Sequence, residues 1–215
     1  MINLDIKQKT IAKEVTLSGV GLHTGKSVTM TFKPAPENSG YAFVRIDLEG
    51  RPIIEADANY VVTTKRGTNL EKNGVNINTS EHVLAALVGL EIDNCIIELN
   101  ASEPPIMDGS SKYFIEILET AGFIEQDAFV EEYVVKEIIS YKDEKTGSEI
   151  MIMPSDKYEL TTMVDFGTNI LGTQNASINK ISEFKKEISD SRTFSFLHEI
   201  EMLLDHGLIK GGDLN

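Results

Sequence analysis

The spacing of apolar residues changes along the first 125 positions, and this change constrains the possible folds more than any other feature. Residues 28–32 alternate between apolar side chains and threonine, which is the period of a half-buried strand. In segments 81–87 and 114–121 the apolar residues recur at helical spacing, and a glycine follows each segment, Gly89 and Gly122. Strands and helices within one block predict an α+β fold.

The rest of the chain gives a coarser pattern. A glycine-rich turn at 19–26 separates two strands, the polar segment 57–76 predicts a short hairpin or a small added sheet, and 103–111 is a rigid, proline-containing loop. A second block begins near Asp127. Its predicted elements are strands at 133–141, 149–153 and 158–166, a polar connection at 168–182 and a helix at 198–206.

Charge, cysteine content and hydropathy exclude several classes of protein. The net charge of −14 argues against a broad nucleic-acid surface, because such surfaces need clustered Lys and Arg. Cys95 is the only cysteine, so no intramolecular disulfide can form, and its apolar neighbours predict a buried residue in a strand. The N-terminus shows no secretory signal, and no run is long and apolar enough to span a membrane. We therefore expect a cytoplasmic protein.

Glu81 and His82 stand side by side where the first helical pattern begins. A carboxylate next to a potential metal ligand at a helix N-terminus is compatible with a hydrolytic site. The same spacing has a structural interpretation, in which Asn78 is the N-cap, Glu81 is its reciprocal cap and His82 is a structural histidine. The spacing alone leaves both interpretations open.

Two other segments have weaker functional interpretations. Gly25-Lys26-Ser27 looks like the end of a phosphate-binding loop, but Val20 stands where that loop needs another glycine, and the segment lies between two predicted strands. The alternative is a tight turn. The apolar residues of 194–209 are either ordinary core or the wall of an apolar tunnel. His198 and His206 in that stretch lack the spacing of a metal motif.

Four separated motifs together resemble one enzyme family. They are Gly19-Val20-Gly21-Leu22-His23-Thr24-Gly25-Lys26, Thr79-Ser80-Glu81-His82, Ile106-Met107-Asp108-Gly109-Ser110 and Arg192-Thr193-Phe194. In this order they closely resemble the UDP-3-O-acyl-N-acetylglucosamine deacetylases, the zinc amidases that commit a sugar nucleotide to lipid A in Gram-negative bacteria. The first block is most similar to the form in Bacteroidetes, where the deacetylase is fused to a 3-hydroxyacyl-carrier-protein dehydratase.

The resemblance implies two α+β sandwich domains facing each other across a zinc site. Residues 1–126 would form the first domain, with a small inserted sheet, and 127–215 an incomplete second domain, truncated within the insert that holds the acyl chain. His82 would be a zinc ligand, Glu81 the general base that takes a proton from the attacking water, and Thr193 a hydroxyl that stabilises the oxyanion.

The resemblance also implies a set of residues that contact the UDP-sugar lipid precursor. The turn would border the site, an acid-aromatic pair would lie near the uracil, and the insert would enclose the acyl chain. These candidate substrate-binding residues are Leu22, His23, Thr24, Asp165, Phe166, Phe194, Phe196, Ile200, Ile209 and Gly212.

One part of the family pattern is absent from the sequence. The family has two further zinc ligands in a His-Lys-x-x-x-Asp motif and a general acid in a Gly-His pair, and none of these occurs in 1–215. We therefore expect the N-terminal part of a deacetylase, inactive without its C-terminal remainder and prone to self-association. The alternative is a non-catalytic module that binds the sugar nucleotide or the acyl chain.

Overall fold

A computed structural model describes residues 2–212 of the chain. Its strands are β1 (Ile2–Ile11), β2 (Val15–Val20), β3 (Ser27–Pro34), β4 (Tyr41–Arg45), β5 (Ile53–Glu55), β6 (Val61–Thr63), β7 (Asn69–Lys72), β8 (Val75–Ile77), β9 (Cys95–Leu99), β10 (Phe123–Glu132), β11 (Ile139–Lys142), β12 (Glu149–Ile152), β13 (Leu160–Asp165) and β14 (Thr173–Ile178). Its α-helices are α1 (Glu81–Gly89), α2 (Lys112–Ala121), α3 (Phe184–Glu187) and α4 (Leu197–Asp205). This mixture of sheets and helices confirms the α+β class.

The largest sheet has five strands in the order β2-β3-β9-β4-β5. All neighbouring strands are antiparallel except β4 and β9, which run parallel. β1 and β10 form a separate antiparallel pair. Since β10 runs from Phe123 to Glu132, this strand crosses position 126. Both termini of the first block are therefore tied together through main-chain hydrogen bonds.

The main core is built by β3, β9 and one face of each of α1 and α2. Val28, Met30 and Phe32 are fully buried, as their alternation predicts. The buried residues of α1 and α2 follow helical spacing and join the same cluster; they are Val83, Ala86, Leu87, Phe114, Ile115, Leu118 and Ala121. Burial of these apolar side chains is the main stabilising contribution to this part of the fold.

Several further predictions are confirmed. The segment 57–76 carries the small three-stranded sheet β6-β7-β8, α1 ends at Gly89, and Gly122 follows α2 with a φ of +67°. Cys95 is buried in β9. The prediction of a polar connection over 168–182 is wrong in part, because β14 lies there and pairs with β13.

The second block exposes much more apolar surface. The side chains of β11, β12 and β13 are exposed along the full length of these strands. Tyr141, Ile150, Met151 and Met163 are each at least 60% exposed. Apolar surface of this extent is typical of a face that packs against further protein.

No helix within residues 2–212 is both long enough and apolar enough to cross a lipid bilayer.

Candidate functional site

The N-terminus of α1 is held by the neighbouring small sheet. Ser80 is the N-cap, and its N–H and its hydroxyl both donate to the Thr68 carbonyl, at 3.1 and 2.9 Å. The Thr68 N–H donates to Glu81 Oε2 at 2.7 Å. The interpretation of Asn78 as an N-cap paired with Glu81 is therefore wrong. The Glu81 carboxylate binds an amide outside its own helix.

Glu81 and His82 keep their side chains close together. Glu81 Oε1 lies 4.0 Å from His82 Nε2, and the two side chains are 37% and 17% exposed. Burial lowers the pKa of His82 below its ordinary value, although the carboxylates of Glu81 and Asp108 act in the opposite direction. A lowered pKa favours the neutral imidazole, which is the form that binds a metal ion.

The loop 106–111 packs against this helix start. Met107 and Gly109 have positive φ angles of +54° and +82°, so the chain turns sharply here. Asp108 Oδ1 accepts hydrogen bonds from the N–H and the hydroxyl of Ser110, at 3.0 and 2.7 Å. Ser111 Oγ donates to the His82 carbonyl at 3.1 Å. These contacts fix the loop beside His82.

The same loop also holds Thr193. The Thr193 N–H donates to the Gly109 carbonyl at 2.7 Å, and the Ser111 N–H donates to the Ser189 carbonyl at 3.1 Å. A Cβ on Gly109 would lie 3.2 Å from Thr193 Cγ2. The loop 106–111 therefore contacts both His82 and Thr193, which are far apart in sequence, through main-chain and side-chain hydrogen bonds.

The glycine-rich turn joins β2 to β3. A phosphate-binding loop would be followed by a helix, and this turn is followed by a strand. The N–H groups of His23 and Thr24 donate to the Glu103 carboxylate, each at 3.1 Å to the nearer oxygen. His23 Nε2 lies 3.2 Å from the Arg66 carbonyl, while its Nδ1 is buried without a hydrogen-bond partner. Leu22, His23 and Thr24 are half-buried.

Glu103 is a residue that sequence reasoning missed. Its side chain is fully buried, and Oε1 also accepts a hydrogen bond from the Thr79 hydroxyl at 3.1 Å. No periodic pattern signals such a residue, because its partners lie about 24 and 80 positions away. A charged side chain inside a rigid loop, next to two prolines, is the only local signal.

The aromatic candidates of the second block form a cluster. The rings of Phe166 and Phe194 lie 5.0 Å apart, and those of Phe194 and Phe196 lie 5.5 Å apart, both edge to face. Phe194 remains 57% exposed. Asp165 is exposed at the end of β13, where its carboxylate accepts the Gly167 N–H.

The remaining candidates belong to α4 and the segment after it. Ile200 and Ile209 are half-buried. The Gly212 N–H donates to the Ile209 carbonyl at 3.0 Å, and the Gly211 N–H donates to the Leu22 carbonyl at 2.9 Å. The segment 209–212 therefore rests against the glycine-rich turn.

His206, which follows α4, belongs to no metal site among the described side chains. His206 Nδ1 lies 2.6 Å from the Met202 carbonyl, and the side chain of His198 lies outside the described residues. More generally, the side chains that the structure describes include no group of three or more His, Cys, Asp or Glu residues that could hold a metal ion.

Comparisons with known proteins agree on one family. The family model of UDP-3-O-acyl N-acetylglycosamine deacetylase matches residues 8–215. The chain is 49% identical over 210 residues to the "Bifunctional enzyme LpxC/FabZ" of Bacteroides thetaiotaomicron, covering 98% of the chain and 46% of that relative. It is 40% identical over 214 residues to the UDP-3-O-acyl-N-acetylglucosamine deacetylase of Saccharophagus degradans, covering 98% and 70%. The chain thus spans about half the length of the bifunctional relatives.

Proposed function

The chain belongs to the UDP-3-O-acyl N-acetylglycosamine deacetylase family, and we propose on this basis that its full-length protein hydrolyses the acetamide of UDP-3-O-acyl-N-acetylglucosamine. The reaction releases acetate and belongs to lipid A biosynthesis. The observation that carries the proposal is the contact of loop 106–111 with both His82 and Thr193, next to Glu81. The start of α1 supplies a base and a candidate metal ligand, Thr193 supplies a hydroxyl donor, and one loop contacts both segments.

Glu81 is proposed as the general base. The Thr68 N–H holds one carboxylate oxygen, which leaves Oε1 free to accept a proton from the water that attacks the acetamide carbonyl. A carboxylate held in advance needs little reorganisation during the reaction. The Thr193 hydroxyl is proposed to donate to the carbonyl oxygen as negative charge develops on it.

Zinc is the cofactor we propose, with His82 as one ligand. The described residues do not complete such a site, since His82 is the single candidate near Glu81 and catalytic zinc uses three protein ligands. We propose that the other ligands come from the C-terminal remainder of the protein.

The substrate is proposed to lie along the turn and the aromatic cluster. Leu22, His23 and Thr24 would border the reacting end, Asp165 and Phe166 would lie near the uracil, and Phe194 would begin the acyl-chain wall. Half-exposed aromatic rings support this role, because they offer apolar contact area that water still reaches. Phe196, Ile200, Ile209 and Gly212 would continue that wall.

We also propose two facing sandwich domains, 1–126 and 127–215, the second completed by the C-terminal remainder of the protein. The exposed apolar strands β11, β12 and β13 support this organisation, because such surface favours a protein partner. Without that partner the chain should self-associate. The printed names of the bifunctional relatives support a fused dehydratase domain in the full-length protein.

Substitution of the two central residues in the full-length protein tests the proposal. Glu81→Gln keeps an oxygen that can accept from Thr68, so we expect bound zinc and folding to be parental while acetate release falls by about 100-fold or more. His82→Ala should lower zinc content as well as activity. Zinc is measured by elemental analysis and acetate by coupled assay.

The outcomes separate the candidate functions. Parental acetate release by both variants would refute the site. Tight binding of the UDP-sugar by the unmodified full-length protein, without any acetate release, would instead indicate the non-catalytic binding module.

A further inference from the structure

Glu103 is a fully buried carboxylate that accepts hydrogen bonds from neutral donors on two different segments. The His23 and Thr24 amides belong to the glycine-rich turn, and the Thr79 hydroxyl stands two positions before Glu81. Taking a carboxylate out of water is costly unless several hydrogen bonds compensate. A residue that only filled space in this loop would be better apolar.

We infer that Glu103 is a positioning residue that fixes the glycine-rich turn relative to the start of α1. Oε2 accepts from Thr24, and Oε1 accepts from both His23 and Thr79, so one rigid group sets the separation of the two segments. The inference rests on the proposed function. It adds a residue that would act through the turn and through Thr79, without touching the substrate.

The close approach of the turn to Glu103 supports this assignment. A Cβ on Gly21 would lie 2.7 Å from Glu103 Oε2 and 2.5 Å from Thr24 Oγ1. Such distances are below van der Waals contact, so glycine is required for the turn to reach the carboxylate. The Leu22 carbonyl of the turn also accepts a hydrogen bond from the Gly211 N–H. A shift of the turn would therefore move the segment 209–212 as well.

Thr79 connects Glu103 to Glu81 through the main chain. Thr79 has a φ of +53°, an unfavourable value for a β-branched residue. Its N–H donates to Asn69 Oδ1 at 3.0 Å and its hydroxyl to Glu103, so two hydrogen bonds hold it in this conformation. Loss of the Glu103 contact should let Thr79 relax and shift the first residues of α1 that follow it. Catalytic groups tolerate only small displacements of this kind.

The experiment compares Glu103→Gln with Glu98→Gln in the full-length enzyme. Glutamine keeps the size of Glu103 but turns one acceptor oxygen into a donor facing other donors. Glu98 is a matched control because its carboxylate is 14% exposed and pairs with Lys33 in the central sheet. Zinc content, folded fraction, kcat and KM for acetate release are measured for each.

For Glu103→Gln we expect KM to rise by about tenfold and kcat to fall, with zinc content and folded fraction parental. Glu98→Gln should stay within about twofold of the parental kinetics. A purely structural role would lower only the active fraction, so kcat would fall in proportion to folded enzyme and KM would not move. That result would overturn the inference.

A second pair of variants decides the question if Glu103→Gln does not fold. Thr79→Val removes the hydroxyl and keeps the shape, whereas Thr79→Ser keeps the hydroxyl. Lower kcat for the valine variant alone supports the inference, and equal kinetics for both overturn it. If the parental full-length protein releases no acetate, the proposed function fails and this inference fails with it.

Discussion

Gly89 is the last residue of α1, and its replacement by alanine tests how the second block is attached to the first. A Cβ at this position would lie 2.1 Å from Cδ1 of Phe184 and 2.8 Å from Cε1 and Cγ. Phe184 is half-buried and packs against the main core. The added methyl group therefore cannot be accommodated unless the phenyl ring moves away.

The expected magnitude follows from two opposing effects. Helix propensity favours alanine over glycine by up to about 1 kcal/mol. Displacement of the ring removes roughly half of the burial of a phenylalanine, about 1 kcal/mol, and overpacking adds strain of about 1–3 kcal/mol. We expect a net destabilisation of about 1–3 kcal/mol, since the steric effect exceeds the propensity gain.

The position of Thr193 should change with the ring. Phe184 begins the segment that continues through Ser189 to Thr193, and both of these residues form main-chain hydrogen bonds to loop 106–111. In Gly89→Ala the Thr193 N–H should exchange with solvent faster, because its bond to Gly109 is weakened. Urea denaturation measures the stability and amide hydrogen exchange measures the local opening.

Phe184→Ala provides the control. In that background the space beside Gly89 is open, so Gly89→Ala should be neutral or stabilising by up to about 1 kcal/mol. The double-mutant cycle should then give a coupling energy of about 2 kcal/mol. An equal change in the free energy of unfolding on Gly89→Ala in both backgrounds would refute the steric conflict with Phe184.

Two further predictions concern the loop and the core. Gly109→Ala should reduce turnover of the full-length protein by about tenfold with zinc retained, because the residue has a positive φ and a Cβ would press on Thr193. The control is Gly147→Ala, which is also at positive φ but has open space around it. Equal activities of the two variants would contradict the prediction. Burial raises the pKa of the Cys95 thiol to about 12. Alkylation of this thiol at pH 8 should therefore be about 1000-fold slower in the native protein than in urea. Mass spectrometry measures both rates, and similar values would refute this prediction.

Local periodicity was sufficient to predict the elements that build the core. β3 alternates between polar and apolar residues, and its apolar residues are all buried. The ends of α1 and α2 coincide with Gly89 and Gly122. Gly122 ends its helix with a positive φ, which glycine adopts at low cost, whereas Gly89 leaves space for Phe184. β14 escaped prediction because its exposed, polar residues show no alternation, and its pairing with β13 is made by the main chain.

Pairings between distant segments could not be predicted from local patterns. β1 and β10 pair across more than 110 residues, and β4 runs parallel to β9. Main-chain hydrogen bonds carry little sequence information, so many alternative partners fit the same pattern. Glu81 and His82 stand out locally as neighbours at a helix start, but only the resemblance to the deacetylase family connects them with Thr193, because no local spacing does.

The small sheet β6-β7-β8 shows why a motif can name a residue without predicting how it is held. The carboxylate of Glu81 could have capped its own helix, which the local sequence favours. It binds the Thr68 amide instead, while the Arg66 carbonyl contacts His23. Ser80 and Glu81 both hold the helix start to Thr68, and Glu81→Gln keeps an oxygen that can accept from the Thr68 amide, so this substitution should cost little stability. A loss of activity at position 81 can therefore be assigned to chemistry.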